Sequence, residues 1–179
     1  GPNGAGKTTV FNLLTGIYAP TEGQFLVGGK VLNGKNTHQT VAAGIARTFQ
    51  NIRLFKNMSV LDNVKIACTK DIGYNFLDTV LRTPRYWRIE EEITEKALDH
   101  LRIVHLEKKA DVIASALPYG EQRKLEIARA LATDMKLLLL DEPAAGMNPT
   151  ETAELLSCLN VIQNRFRIGI LLIEHDMSL

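Results

Sequence analysis

Cysteine is scarce in this 179-residue chain. Cys68 and Cys158 lie far apart inside apolar runs, and neither belongs to a CxxC pair. That leaves no paired redox motif, and two buried, reduced thiols of a reducing compartment as the expectation. No run of about 18 apolar residues occurs, so no segment reads as a transmembrane helix. Neither sign of charge is in excess. Lys and Arg number 21 against 20 Asp and Glu, a net charge of +1, which offers no field to draw in nucleic acid or an anionic membrane. Repeats and low-complexity tracts are also missing. What is present, 45% hydrophobic and 23% charged residues, is the balance of a globular domain with a core.

Along the chain, Gly-rich residues 1–8 lead into Thr9-Val10-Phe11-Asn12-Leu13-Leu14, a short helix pattern that ends near Gly16. Pro20-Thr21-Glu22-Gly23 reads as a turn, and residues 24–32, with Gly28-Gly29 among them, as a hairpin of short strands. Residues 41–46 read as a small helix before Arg47-Thr48-Phe49-Gln50. Ser59 is placed to cap a helix with Leu61, Val64 and Ile66 on or near one face. Residues 70–116 read as helical. Phe76, Leu77, Val80 and Leu81 share helical spacing, Pro84 interrupts, and from Arg85 the residues Ile89, Ile93, Ala97 and Leu101 recur every three to four positions.

The last part is α/β. Residues 122–132 form a helix with Leu125, Ala128 and Leu131 inward, and Leu137 to Leu140 form an apolar strand that ends in Asp141-Glu142. Residues 153–162 form a helix, and 168–173 a second apolar strand ending at Glu174-His175. Two apolar strands joined by a helix imply a parallel sheet covered on both faces. The expected fold class is therefore α/β, with a parallel sheet core, a small antiparallel β part and an inserted helical subdomain. Its parts are residues 1–69, 70–132 and 133–179.

Gly1-Pro2-Asn3-Gly4-Ala5-Gly6-Lys7-Thr8 satisfies the phosphate-loop pattern G-x-x-x-x-G-K-[ST]. Glycines let the backbone curl so that N–H groups converge on phosphate oxygens, and the following helix adds its positive end. Lys7 can reach the β- and γ-phosphates, and Thr8 offers a hydroxyl to Mg²⁺. Asp141, at the carboxyl end of an apolar strand, is placed to hold Mg²⁺ directly or through water, and Glu142 to orient or deprotonate an attacking water. Leu117-Pro118-Tyr119-Gly120-Glu121-Gln122-Arg123 opens a helix whose N-terminus is a second anion-binding end. His175 follows the last strand, within reach of a γ-phosphate.

The order phosphate loop, Gln50, Leu117 to Gln122, Leu137 to Glu142, Asn148 and His175 resembles the ATP-binding-cassette (ABC) family over nearly the whole chain. The resemblance implies a P-loop NTPase of ABC type that hydrolyses ATP with Mg²⁺. It implies a nucleotide cradle of Asn3, Gly4, Ala5, Gly6, Lys7, Thr8 and Thr9, a metal held by Thr8, Gln50 and Asp141, and catalytic roles for Glu142, His175 and Gln50. It further implies that the signature residues Pro118, Tyr119, Gly120 and Glu121 cap a nucleotide held by another subunit. Asn148 would lie in the loop that crosses that interface. The implied partners are a second ABC ATPase subunit, identical or related, and transmembrane permease subunits, with no nucleic acid. The implied location is peripheral, at the cytoplasmic face of the cell membrane.

Pro118 and Tyr119 stand where that family usually has Ser and Gly, and Asn148 where it has Asp. The stretch from Arg47 to Phe55, the helical insert, Pro118 to Gln122 and Glu142 to Pro149 look like the branched-chain amino-acid importers of the family. Lipid or lipopolysaccharide exporters share much of this pattern. A DNA-repair head would need a long coiled coil between phosphate loop and signature, and no sustained heptads lie there. A ribosome-binding member would need a second cassette and a basic linker. The chain starts inside the phosphate loop and stops just after a strand, which reads as a piece of a longer domain, with the adenine-stacking aromatic expected upstream.

Overall fold

The computed structural model describes residues 6–48, 52–69 and 82–174. The chain divides into two compact units, one of Gly1–Arg53 with Asp134–Leu179 and one of Leu54–Thr133.

The first unit opens with helix α1 (Lys7–Leu14), entered through Gly6 at φ 79°, a left-handed conformation that suits glycine. The helix buries Phe11 and ends at Thr15, whose hydroxyl donates to the Phe11 carbonyl at 2.8 Å. Strands β1 (Leu26–Val27) and β2 (Lys30–Val31) pair antiparallel around Gly28-Gly29, both at positive φ, as a tight hairpin requires. Helix α2 (Thr37–Ala42) starts on a capping box. Asn36 Oδ1 accepts from the Gln39 N–H at 2.9 Å, and Gln39 Oε1 accepts from the Asn36 N–H at 3.1 Å. Strand β3 (Ile45–Arg47) follows Gly44. The sequence pattern makes one helix of residues 41–46, and the structure corrects it. The cap at Asn36 starts the helix earlier, Gly44 turns the chain at φ 97°, and the buried Ile45 pairs into a sheet.

The second unit is helical. Helix α3 (Val60–Cys68) is capped by Ser59, whose hydroxyl accepts from the Asp62 N–H at 3.0 Å. Its buried stripe is Val60, Val64 and Cys68, at i, i+4 and i+8. Ile66, expected on or near that face, is 42% exposed. The fully buried Asn63 accepts from the Phe55 N–H at 2.9 Å and donates to the Phe55 carbonyl at 3.0 Å, pinning the segment before the helix. Helix α4 (Pro84–Ile103) has Thr83 as cap and Pro84 in its first turn, where a missing N–H costs nothing. Helix α5 (Tyr119–Leu131) buries Leu125, Ala128 and Leu131 as expected. Val64, Ile93, Ala97, Leu101, Leu125 and Ala128 share one core with the rest of this unit. Phe76, Leu77, Val80 and Leu81 lie outside the described residues.

Back in the first unit, β4 (Leu137–Asp141) lies between β3 and the last strand, with both pairings parallel. Leu138, Leu139 and Leu140 are all fully buried, which is why this strand reads as an unbroken apolar run. Helix α6 (Pro149–Phe166) crosses over to β5 (Gly169–Ile173), burying Leu155, Cys158, Leu159 and Ile162. Both cysteines are buried. No described helix is long and apolar enough to cross a membrane.

Candidate functional site

Parallel pairing puts the carboxyl ends of β3, β4 and β5 on one edge of the sheet, where α/β folds bind their ligands. Asp141 is the last residue of β4, and Glu142 follows it at φ 46°. A non-glycine residue in the left-handed region is strained by roughly 1–2 kcal/mol. Two hydrogen bonds help to hold the turn. The Glu142 N–H donates to the Ile173 carbonyl at 2.9 Å, and the Ala145 N–H to the Glu142 carbonyl at 3.1 Å. Glu174, the residue after β5, accepts from the Ala144 N–H at 3.3 Å and so ties the end of β5 to the loop after β4. Strained residues that the surroundings hold in place concentrate at functional sites.

Helix α1 is joined to the same edge. Arg47, the last residue of β3, donates from Nη1 to Asn12 Oδ1 of α1 at 3.1 Å and from Nη2 to Asp141 Oδ2 at 3.4 Å. Its guanidinium lies 5.4 Å over the Phe11 ring. Lys7 is half-buried, and Thr8 and Thr9 are exposed on the first turn of α1. Asn148 caps α6 through a capping box, accepting from the Glu151 N–H at 2.9 Å, and Asn serves there as well as Asp. Among the described residues no three His, Cys, Asp or Glu side chains gather to hold a metal ion.

In the helical unit, α5 begins at Pro118 with no side chain capping it, so no side-chain cap occupies the N–H groups of its first turn. The turn is braced from outside. Lys109 Nζ donates to both carboxylate oxygens of Glu121, at 2.6 and 2.7 Å. The buried Arg123 donates to the Tyr119 hydroxyl at 3.0 Å and to Glu126 at 3.0 Å. Gly120 is buried and Tyr119 exposed.

Gly6, Lys7, Thr8, Thr9, Asp141, Glu142 and Asn148 thus fall in one unit, and Pro118, Tyr119, Gly120 and Glu121 in the other. Asn3, Gly4, Ala5, Gln50 and His175 lie outside the described residues. Sequence reasoning passes over Lys109, and names Arg47, Arg123 and Glu174 only within their stretches, with no role for their side chains. Arg47 and Glu174 carry a signal in the sequence, each as a charged residue beside an apolar stretch, Arg47 three positions before Gln50 and Glu174 directly before His175.

The family model for ABC transporter matches residues 1–145. The chain is 46% identical over 179 residues to the high-affinity branched-chain amino acid transport ATP-binding protein BraF of Pseudomonas aeruginosa, covering all of this chain and 70% of that protein. It is 45% identical, with the same coverage, to the high-affinity branched-chain amino acid transport ATP-binding protein LivG of Escherichia coli. Among solved structures, the ADP conformation of MJ1267, an ATP-binding cassette of an ABC transporter, superposes with a TM-score of 0.79 at 32% identity, covering 99% of this chain and 68% of that one.

Proposed function

This chain belongs to the ABC transporter family as one of its ATPases, and we propose that it works in a head-to-tail pair of cassettes that powers uptake of branched-chain amino acids. The observation that carries the chemistry is the strained turn at Glu142, held against β5 directly after the strand-end acid Asp141. Glu142 accepts the proton of the attacking water. Lys7 and the backbone of Asn3 to Thr9 hold the phosphates, while Gln50 and His175 contact the γ-phosphate.

Thr8, Asp141 and Gln50 are the proposed holders of Mg²⁺. One carboxylate with neutral oxygen donors suits Mg²⁺, which takes few protein ligands and completes its shell with water and substrate phosphates. When bound, the ion offsets charge that develops on the transferred phosphoryl group. Pro118 brings no hydroxyl, so the N–H groups of Tyr119, Gly120 and Glu121 carry the cap on the partner's nucleotide, together with the loop at Asn148. ATP closes the pair, and hydrolysis with phosphate release opens it. That cycle moves permease subunits to which the cassettes attach at the cytoplasmic face of the membrane.

The cargo assignment is supported by likeness along the entire chain to BraF and LivG. No residue here selects leucine over another solute, because the permease and its binding protein would do so. The test is uptake. Deleting the gene in its host is expected to abolish high-affinity entry of labelled leucine, isoleucine and valine at low external concentration. Unchanged entry in a strain with no redundant system removes the cargo assignment and leaves the ATPase in place.

A further inference from the structure

Arg47 reaches two elements at once. Its side chain is 12% exposed and that of Asp141 17%. On one side the guanidinium holds Asn12 at 3.1 Å and Thr15 at 3.4 Å, both on or just after α1. On the other it holds a single oxygen of Asp141, Oδ2, at 3.4 Å. Oδ1 of that carboxylate takes no hydrogen bond from the described residues. Thr8, Asn12 and Thr15 stand at i, i+4 and i+7, so they form one stripe along the helix. Arg47 therefore grips α1 one turn beyond Thr8 and grips Asp141 by the oxygen that leaves its twin available. The guanidinium also lies 5.4 Å over the Phe11 ring, a further contact between Arg47 and α1.

We propose that Arg47 is a positioning residue that sets the separation and orientation of Thr8 and Asp141, the two oxygen donors to the divalent cation. The inference rests on the magnesium site described under the proposed function. Groups that orient ligands in this way change metal affinity by about 10- to 100-fold when removed. A pure point charge beside Asp141 would do the reverse, because Arg47 repels a cation and its removal would tighten binding.

The experiment uses the full-length protein and a fluorescent ATP analogue, titrated with Mg²⁺ and in parallel in EDTA. For Arg47→Met the affinity in EDTA is expected to stay within about twofold of wild type, and the Mg²⁺ concentration for half-maximal enhancement to rise by about tenfold or more. Arg47→Lys keeps the charge but not the fork that spans two partners, and is expected to recover only part of the loss. Asn12→Ala removes the shorter of the two hydrogen bonds from Arg47 to the α1 end and leaves those to Thr15 and Asp141, and is expected to show an intermediate rise, so it carries the comparison if Arg47→Met fails to fold. The inference is overturned by an unchanged or lowered Mg²⁺ requirement in Arg47→Met. Full recovery in Arg47→Lys, or an equal loss with and without the cation, overturns it as well. If nucleotide binding by the wild-type protein ignores Mg²⁺, the magnesium reading itself falls, and this inference with it.

Discussion

Glu142 and Ile173 are joined by a backbone hydrogen bond of 2.9 Å, so the position of the acid is tied to the neighbouring strand as well as to its own loop. The same residue sits at φ 46°. For Glu142→Gln the backbone should stay and the proposed base be lost. ATP binding is expected to persist while turnover in the assembled transporter falls by about 10²-fold or more. Glu142→Gly separates strain from chemistry. Relief of about 1–2 kcal/mol of left-handed strain, against roughly 0.5–1 kcal/mol of extra freedom in the unfolded chain, leaves a small net gain in stability. A variant that is inactive yet melts slightly higher is the expected result in calorimetry. A lower melting temperature would show that Glu142 stabilises the turn.

Asn148 has a structural job that can be separated from any contact across the proposed interface. Its capping box with Glu151 is complete. Asn148→Ala is expected to cost about 1 kcal/mol in chemical denaturation, whereas Asn148→Asp, an equally good cap, should be close to neutral. A full loss in the Asp variant would mean that the side-chain amide has another partner.

Arg123 is 2% exposed and braces the start of α5 through the Tyr119 hydroxyl and Glu126. Arg123→Met removes the positive partner of a buried acid, a change that costs about 3 kcal/mol or more. The melting temperature should fall by roughly 6–12 °C, taking about 2–4 °C per kcal/mol for a chain of this size. Glu126→Gln in the same background should recover part of it. Absence of any shift would show that solvent or another side chain takes over the charge.

Much of this arrangement was legible in the sequence because it rests on local rules. Leu137 to Leu140 announce a strand buried on both faces, and Ser59 announces a helix start. Residues 41–46 misled because Ile45 is drawn out of a helical pattern by pairing with Leu137, a residue far along the chain. The N-x-x-Q cap at Asn36 and Gly44 are the local marks of the true boundaries. The roles of Arg47 and Glu174 are not legible locally for the same reason. Their partners, Asp141 and Ala144, come near only once the parallel sheet has formed. The braces at Lys109 and Arg123 likewise depend on side-chain directions that spacing alone does not fix.

The last prediction concerns which subunit the signature serves. Pro118 occupies the N-cap of α5 with no capping side chain. Pro118→Asp supplies one of the best N-caps and a favourable charge at the positive end of the helix, so the helical unit should become more stable, by about 1 kcal/mol. The same carboxylate would accept from the first-turn N–H groups and repel phosphate, so the cap on a nucleotide should fail while the fold improves. Lys7→Ala makes the opposite lesion, weakening the proposed phosphate cradle. In a pair of cassettes with one lesion on each, the head-to-tail arrangement collects both lesions in one site and leaves the other intact. A signature that served its own subunit would leave neither site intact. Mixed pairs, isolated with two different affinity tags, are therefore expected to hydrolyse ATP measurably faster in a single turnover than either doubly lesioned parent pair. Mixed pairs no faster than the parents, although melting normally and able to associate, would contradict the head-to-tail arrangement and return the signature to its own subunit.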